Sequence, residues 1–128
     1  MTVRCLFSFL SSIVDRSLLA HIRESVHVND IGLTVGEVYR VHGIIFRSGI
    51  PWFYLCEDDS VEYPKPFCSA FFELADPDIP ANWRLVLGTN TELVPIEWAG
   101  LPHFLERLVD GDSAAKSIFD MLCRNGRK

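Results

Sequence analysis

The residues of this chain best equipped for chemistry are four cysteines and four histidines. The cysteines are Cys5, Cys56, Cys68 and Cys123, and the histidines are His21, His27, His42 and His103. A structural zinc site or a redox centre needs ligands close together, as in Cys-x-x-Cys, and a helical metal face needs His-x-x-x-His. Neither spacing occurs. Each cysteine instead has an apolar neighbour (Leu6, Leu55, Phe67, Leu122), the setting of a small buried hydrophobe. A nucleophilic pair of Cys56 or Cys68 with His42 is geometrically open across neighbouring strands, but an apolar strand cysteine usually packs. The eight glycines are spread singly, so no phosphate-cradling loop forms. No metal or cofactor is expected.

The densest charge is Glu57-Asp58-Asp59 followed by Glu62. A calcium loop needs regularly spaced oxygens over a longer segment with a turn glycine, which is absent here. The plain reading is a solvated turn, with carboxylates bonding nearby amides. The functional reading is an acidic patch that meets a basic partner. Aromatic residues crowd the same stretch: Trp52, Phe53, Tyr54 and Tyr63. Strand alternation sends neighbours to opposite faces, so at least half of these are expected to belong to the core. An exposed Trp52 or Tyr63 beside the carboxylates would make an aromatic anchor with an acidic rim. The candidate partner-binding set is Trp52, Tyr54, Glu57, Asp58, Asp59, Glu62 and Tyr63.

The elements that must position these residues belong to one domain of 128 residues, 48% hydrophobic, enough for a core without staples. Seventeen acidic against twelve basic residues give a net charge of −5. That argues against a nonspecific nucleic-acid binder, which carries a basic excess. No run reaches the roughly 18 apolar residues of a membrane span. The apolar stretch from Cys5 to Val14 is interrupted by Asp15-Arg16 and lacks a small-residue cleavage site, so it is not read as a signal peptide. A cytoplasmic protein with reduced thiols is expected.

Val3 to Phe7 reads as a short strand. Phe9, Leu10, Ile13, Val14, Leu18 and Ile22 then recur at helical steps, capped by Ser8 or Ser11. Val35 to Phe46 reads as one long strand, with Gly43 marking a bend. Its two faces are equally mixed, so the buried one is not identified. Arg47 to Pro51 is a turn and Trp52 to Glu57 the return strand. Tyr63-Pro64-Lys65-Pro66 is a stiff passage into a strand over Phe67 to Leu74. Asn82 to Leu87, with Trp83, Leu85 and Leu87 on one side, and Leu93 to Trp98 suggest a hairpin. Trp83 and Trp98 are expected to pack between sheet and helices. A helix with Leu101, Phe104, Leu105, Leu108 and Val109 follows, with Pro102 in its first turn. Gly111 ends it, Asp112 caps the next, and Gly126 closes that one. If the helical stripes exceed what the sheet covers, a homodimer forms; otherwise the chain is a monomer.

Several of these segments carry a family resemblance. Val3-Arg4-Cys5-Leu6, Leu33-Thr34-Val35-Gly36-Glu37-Val38-Tyr39-Arg40-Val41, Tyr63-Pro64 and Phe71-Phe72-Glu73-Leu74 together resemble a family of small bacterial Src-homology-3-like barrels. The likeness implies a curved antiparallel sheet or small Src-homology-3-like barrel at the centre, over 3–98. The helical insert at about 8–27 and the segment from Trp83 onward, with two C-terminal helices over 101–125, depart from the short members, and the whole is expected to be an α+β fold. The continuation Asp76 to Trp83, of the form Asp-x-x-Ile-Pro-x-x-Trp, resembles longer relatives encoded beside bacterial polymorphic toxins. That resemblance implies an immunity protein binding a cognate toxin, possibly a basic nuclease, with no enzymatic activity of its own. The alternatives are a regulatory or nucleic-acid-binding module of the same barrel class, or a small Cys/His enzyme.

Overall fold

The strand expected over Val35 to Phe46 forms as two, and the break between them organises the molecule. The computed structural model describes residues 1–125. Its strands are β1 (Thr2–Cys5), β2 (Val38–Arg40), β3 (Gly43–Arg47), β4 (Ile50–Leu55), β5 (Lys65–Cys68), β6 (Phe72–Asp76), β7 (Trp83–Val86) and β8 (Glu92–Pro95). They build two antiparallel sheets, ordered β2-β1-β6 and β5-β4-β3-β8-β7. The fold is therefore α+β with two open sheets, and the described strands close no barrel. Backbone bonding explains the break. The Val41 amide donates to the Met1 carbonyl (3.1 Å), while the next amide, His42, donates to Tyr54 (2.9 Å). Consecutive residues thus serve different sheets.

The same device splits the strand expected over Phe67 to Leu74. A 3-10 turn over Ser69–Phe71 carries the chain from β5 to β6. There the Phe71 carbonyl accepts from Leu6 (2.8 Å) and Phe7 (3.4 Å), which fixes the end of the first sheet. Between β3 and β4 lies a two-residue turn with Ser48 at φ 51° and Gly49 at φ 79°. Positive φ at both positions matches the twist of the flanking strands.

The insert is less helical than its pattern suggests. Helix α1 spans Arg16–Arg23, and Asp15, not Ser8 or Ser11, caps it by accepting from the Leu18 amide (3.0 Å). Upstream, Leu10 donates to Asn29 and Ile31 donates to Ser8, both at 2.8 Å. These bonds staple the two ends of the insert and leave only a 3-10 turn at Leu10–Ser12, with Val14 94% exposed.

After β8, Pro95 turns the chain into α2 (Ile96–Ala99), so the strand expected to reach Trp98 stops three residues earlier. Helix α3 (Phe104–Val109) begins after His103, beyond Pro102, and α4 spans Ser113–Asn125. Gly111 (φ 82°) ends α3, and Asp112 accepts from Ala115 (3.1 Å) at the start of α4. Ala115, Phe119 and Leu122 face the core. Gly126, expected to close α4, lies outside the described residues. No described helix is long and apolar enough to cross a membrane.

The core explains why alternation misled at two places. Ile44 and Ile45 are both buried, as are Trp52, Phe53, Tyr54 and Leu55, so the second sheet is covered on both faces. On edge strand β7, only Trp83 is buried; Leu85, and Leu87 just past the strand, are 62% and 77% exposed. Trp98 stacks on Phe104 (centroids 4.7 Å apart) and contacts Tyr54 (5.1 Å).

Gly43 sits where β3, β4 and β8 crowd together. A Cβ there would lie 3.0 Å from Val94 Cγ1 and 3.3 Å from the Tyr54 ring. Gly43→Ala is therefore expected to cost about 1–3 kcal/mol in urea unfolding, the range for overpacked cores. A loss within experimental error would show that these neighbours move aside freely.

Candidate functional site

Strand β4 delivers Cys56 and Glu57 to the acidic turn. Asp58 shapes that turn: its carboxylate accepts from the Ser60 amide (2.8 Å) and from the Ser60 hydroxyl. Both bonds favour the charged form and hold this exposed carboxyl below its usual pKa. Glu57 forms an ion pair with Lys65 (3.4 Å), half in solvent. Glu57, Asp58 and Asp59 rim an open cavity of about 510 Å³, whose walls include Tyr39, Val61 and Phe119.

The far wall is helix α4, held by Arg40 of β2. Its guanidinium donates to the carbonyls of Leu122 (2.8 Å) and Cys123 (3.1 Å). These carbonyls lie in the last described turn of the helix, towards the negative end of its dipole. Behind Arg40, the half-buried His42 ring packs against Phe119 (5.3 Å). Burial, helped by the Arg40 charge, pulls the His42 pKa down to about 4. Just past the end of β4, burial pushes the Cys56 thiol up to about 12; nearby Cys123 adds to the shift and Arg40 opposes it.

These two shifts bear on the Cys–His nucleophile. An activated pair would hold the cysteine as thiolate and the histidine as imidazolium, moving both pKa values the other way. His42 and Cys56 share a cavity, yet both are held neutral. Cys68, the other candidate, lines a separate cavity beside Trp52 and Phe67.

The sequence-predicted set divides. Glu57, Asp58 and Asp59 come together at the cavity rim. Glu62 is exposed and Tyr63 half-buried, and neither lines the cavity. Trp52 is 1% exposed, so it is not the surface anchor that its position suggested. Its indole donates to His21 Nε2 (2.9 Å), and the Arg47 guanidinium covers its ring (4.8 Å). Tyr54 is 3% exposed against Trp98 and is likewise a core residue. Burial and the Glu92 charge push its hydroxyl pKa upward. Arg40, Cys123 and Phe119 were not among the predicted residues, and His42 was considered only as the partner of a nucleophilic cysteine. The one local signal was an arginine and a histidine on a strand with no clean apolar face.

Comparison with protein-family models, curated proteins and solved structures finds no match to this chain.

Two measurements follow from the buried neutral groups. An unfolded histidine binds its proton near pH 6.5, but folded His42 does so only near 4, so stability falls as pH drops through that interval. At about 1.4 kcal/mol per pH unit, the full loss is on the order of 3 kcal/mol, complete below pH 4. Urea unfolding at pH 7 and pH 4.5 should show a larger drop for the native chain than for His42→Gln; equal drops would assign the loss to other groups. In thiol alkylation at neutral pH, Cys5 and Cys68 should label only on denaturation and Cys56 only slowly. Rapid labelling of native Cys56 would revive the nucleophile.

Proposed function

We propose that this chain is a non-enzymatic protein-binding domain, an immunity protein that engages and neutralises a cognate basic toxin through the acidic cleft. The observation that carries this reading is the placement of Glu57, Asp58 and Asp59 together on the rim of one open cavity with Tyr39, Val61 and Phe119 below them. Carboxylates at the mouth draw in a lysine or arginine side chain, and the apolar walls receive its methylene stem. Arg40 does not cancel this, because its charge is directed at the two helix carbonyls. The chain's net charge of −5 adds long-range attraction for a basic partner.

The likeness to Src-homology-3-like barrels belongs to the same proposal. What supports it is the antiparallel run β3-β4-β5, with the acidic turn on the connection after β4. A nucleic-acid-binding module is the less favoured reading, since three carboxylates at the cleft repel phosphate.

The test is capture by the tagged chain from lysate of its own host, with the product of any adjacent gene included. A single stoichiometric partner is expected, released by high salt. Glu57→Lys and Asp59→Lys, both at the cavity rim, should each weaken that complex by about tenfold or more, with urea unfolding as the check that each variant is folded. Asp58→Lys is a poorer probe, because Asp58 also builds the turn. Unchanged affinity in both variants would remove the acidic rim from the account.

A further inference from the structure

We propose that Cys56 and Cys123 are a redox pair, which exchange with a low-molecular-weight disulfide joins into one intramolecular bond that locks the last turn of α4 to the end of β4. This goes beyond the binding role and does not depend on it. Three observations support it. Both residues are half-buried and line the same open cavity, whereas Cys5 and Cys68 are each 1% exposed. The Cys123 backbone is held at this wall, since Arg40 bonds its carbonyl and that of Leu122, and Phe119, one turn earlier, packs on His42. The two thiols are also near enough for Cys123 to act electrostatically on the ionisation of Cys56.

The chemistry balances without a further reactant. The Cys123 sulfur, as thiolate, attacks one sulfur of the small disulfide, forming a mixed disulfide and releasing one small thiol. Cys56 then gives up its proton, and its sulfur displaces the second small thiol from Cys123. The protein dithiol loses two electrons and two protons, and the small disulfide is reduced to two thiols. Burial penalises the thiolate of Cys56 but not the neutral disulfide, so the cavity slows closure without disfavouring its product. The bond closes a long loop of the unfolded chain and fixes the wall opposite the acidic turn.

The test uses the whole chain with glutathione disulfide at mildly alkaline pH, followed by alkylation, intact mass and peptide mapping. The expected product has lost two hydrogens, carries a Cys56–Cys123 linkage, and keeps Cys5 and Cys68 as thiols that label only after denaturation. It should melt higher than the reduced chain, by on the order of 5 °C, and return to the starting value with dithiothreitol. Cys56→Ser should stop the reaction at a glutathione adduct on Cys123. The proposal is overturned if the native chain accumulates stable glutathione adducts at Cys56 or Cys123, links either to Cys5 or Cys68, or stays fully reduced after prolonged exposure. The mapping on the native chain decides the matter even if the serine variant does not fold.

Discussion

Two consecutive amides set this fold. Val41 is committed to the Met1 carbonyl and His42 to that of Tyr54, so the chain passes between sheets within one peptide step. A buried backbone amide left without a partner costs as much as a lost hydrogen bond, so neither residue can slip. The sheet change fixes Arg40 and His42 on either side of it. Arg40 then reaches the last turn of α4, and His42 meets Phe119. The cleft is the space these commitments leave between β2, the end of β4 and α4.

Electrostatics in that space follows from who is desolvated. The helix carbonyls replace water around the Arg40 guanidinium. His42 is desolvated by burial and stays neutral, with Arg40 nearby making a second positive charge still less welcome. Cys56 is neutral for the same reason of burial. Inside the cleft, the Arg40 guanidinium therefore sits beside two neutral groups, while the carboxylates stand on the rim. Under the proposed function this division receives a cationic side chain; proton transfer would want groups poised near neutral pH.

Local chemistry was legible in the sequence; long-range commitments were not. The turn at Ser48-Gly49, the Asp112 cap, the stop at Gly111 and the stripe of α4 all depend on residues within a few positions. The acidic turn was legible for the same reason, since Asp58 bonds residues two places away. The breaks at Val41–His42 and Ser69–Phe71 were hidden because their partners, Met1, Tyr54 and Leu6, lie far along the chain. Alternation could not place Trp52 and Tyr54, because a sheet covered on both faces buries consecutive residues. The insert lost much of its expected helix to the Leu10–Asn29 and Ser8–Ile31 bonds, which periodicity does not register. Arg40, His42 and Cys123 become neighbours only when α4 docks.

The most direct test of the cleft as the binding site is a hydrogen-exchange footprint of the chain with its captured partner. Protection confined to the segment 56–62 and the last turn of α4, fading as salt is raised, is the result this account predicts. Protection centred instead on β7 and the residue after it, where Leu85 and Leu87 are exposed, with the acidic turn unchanged, would contradict it.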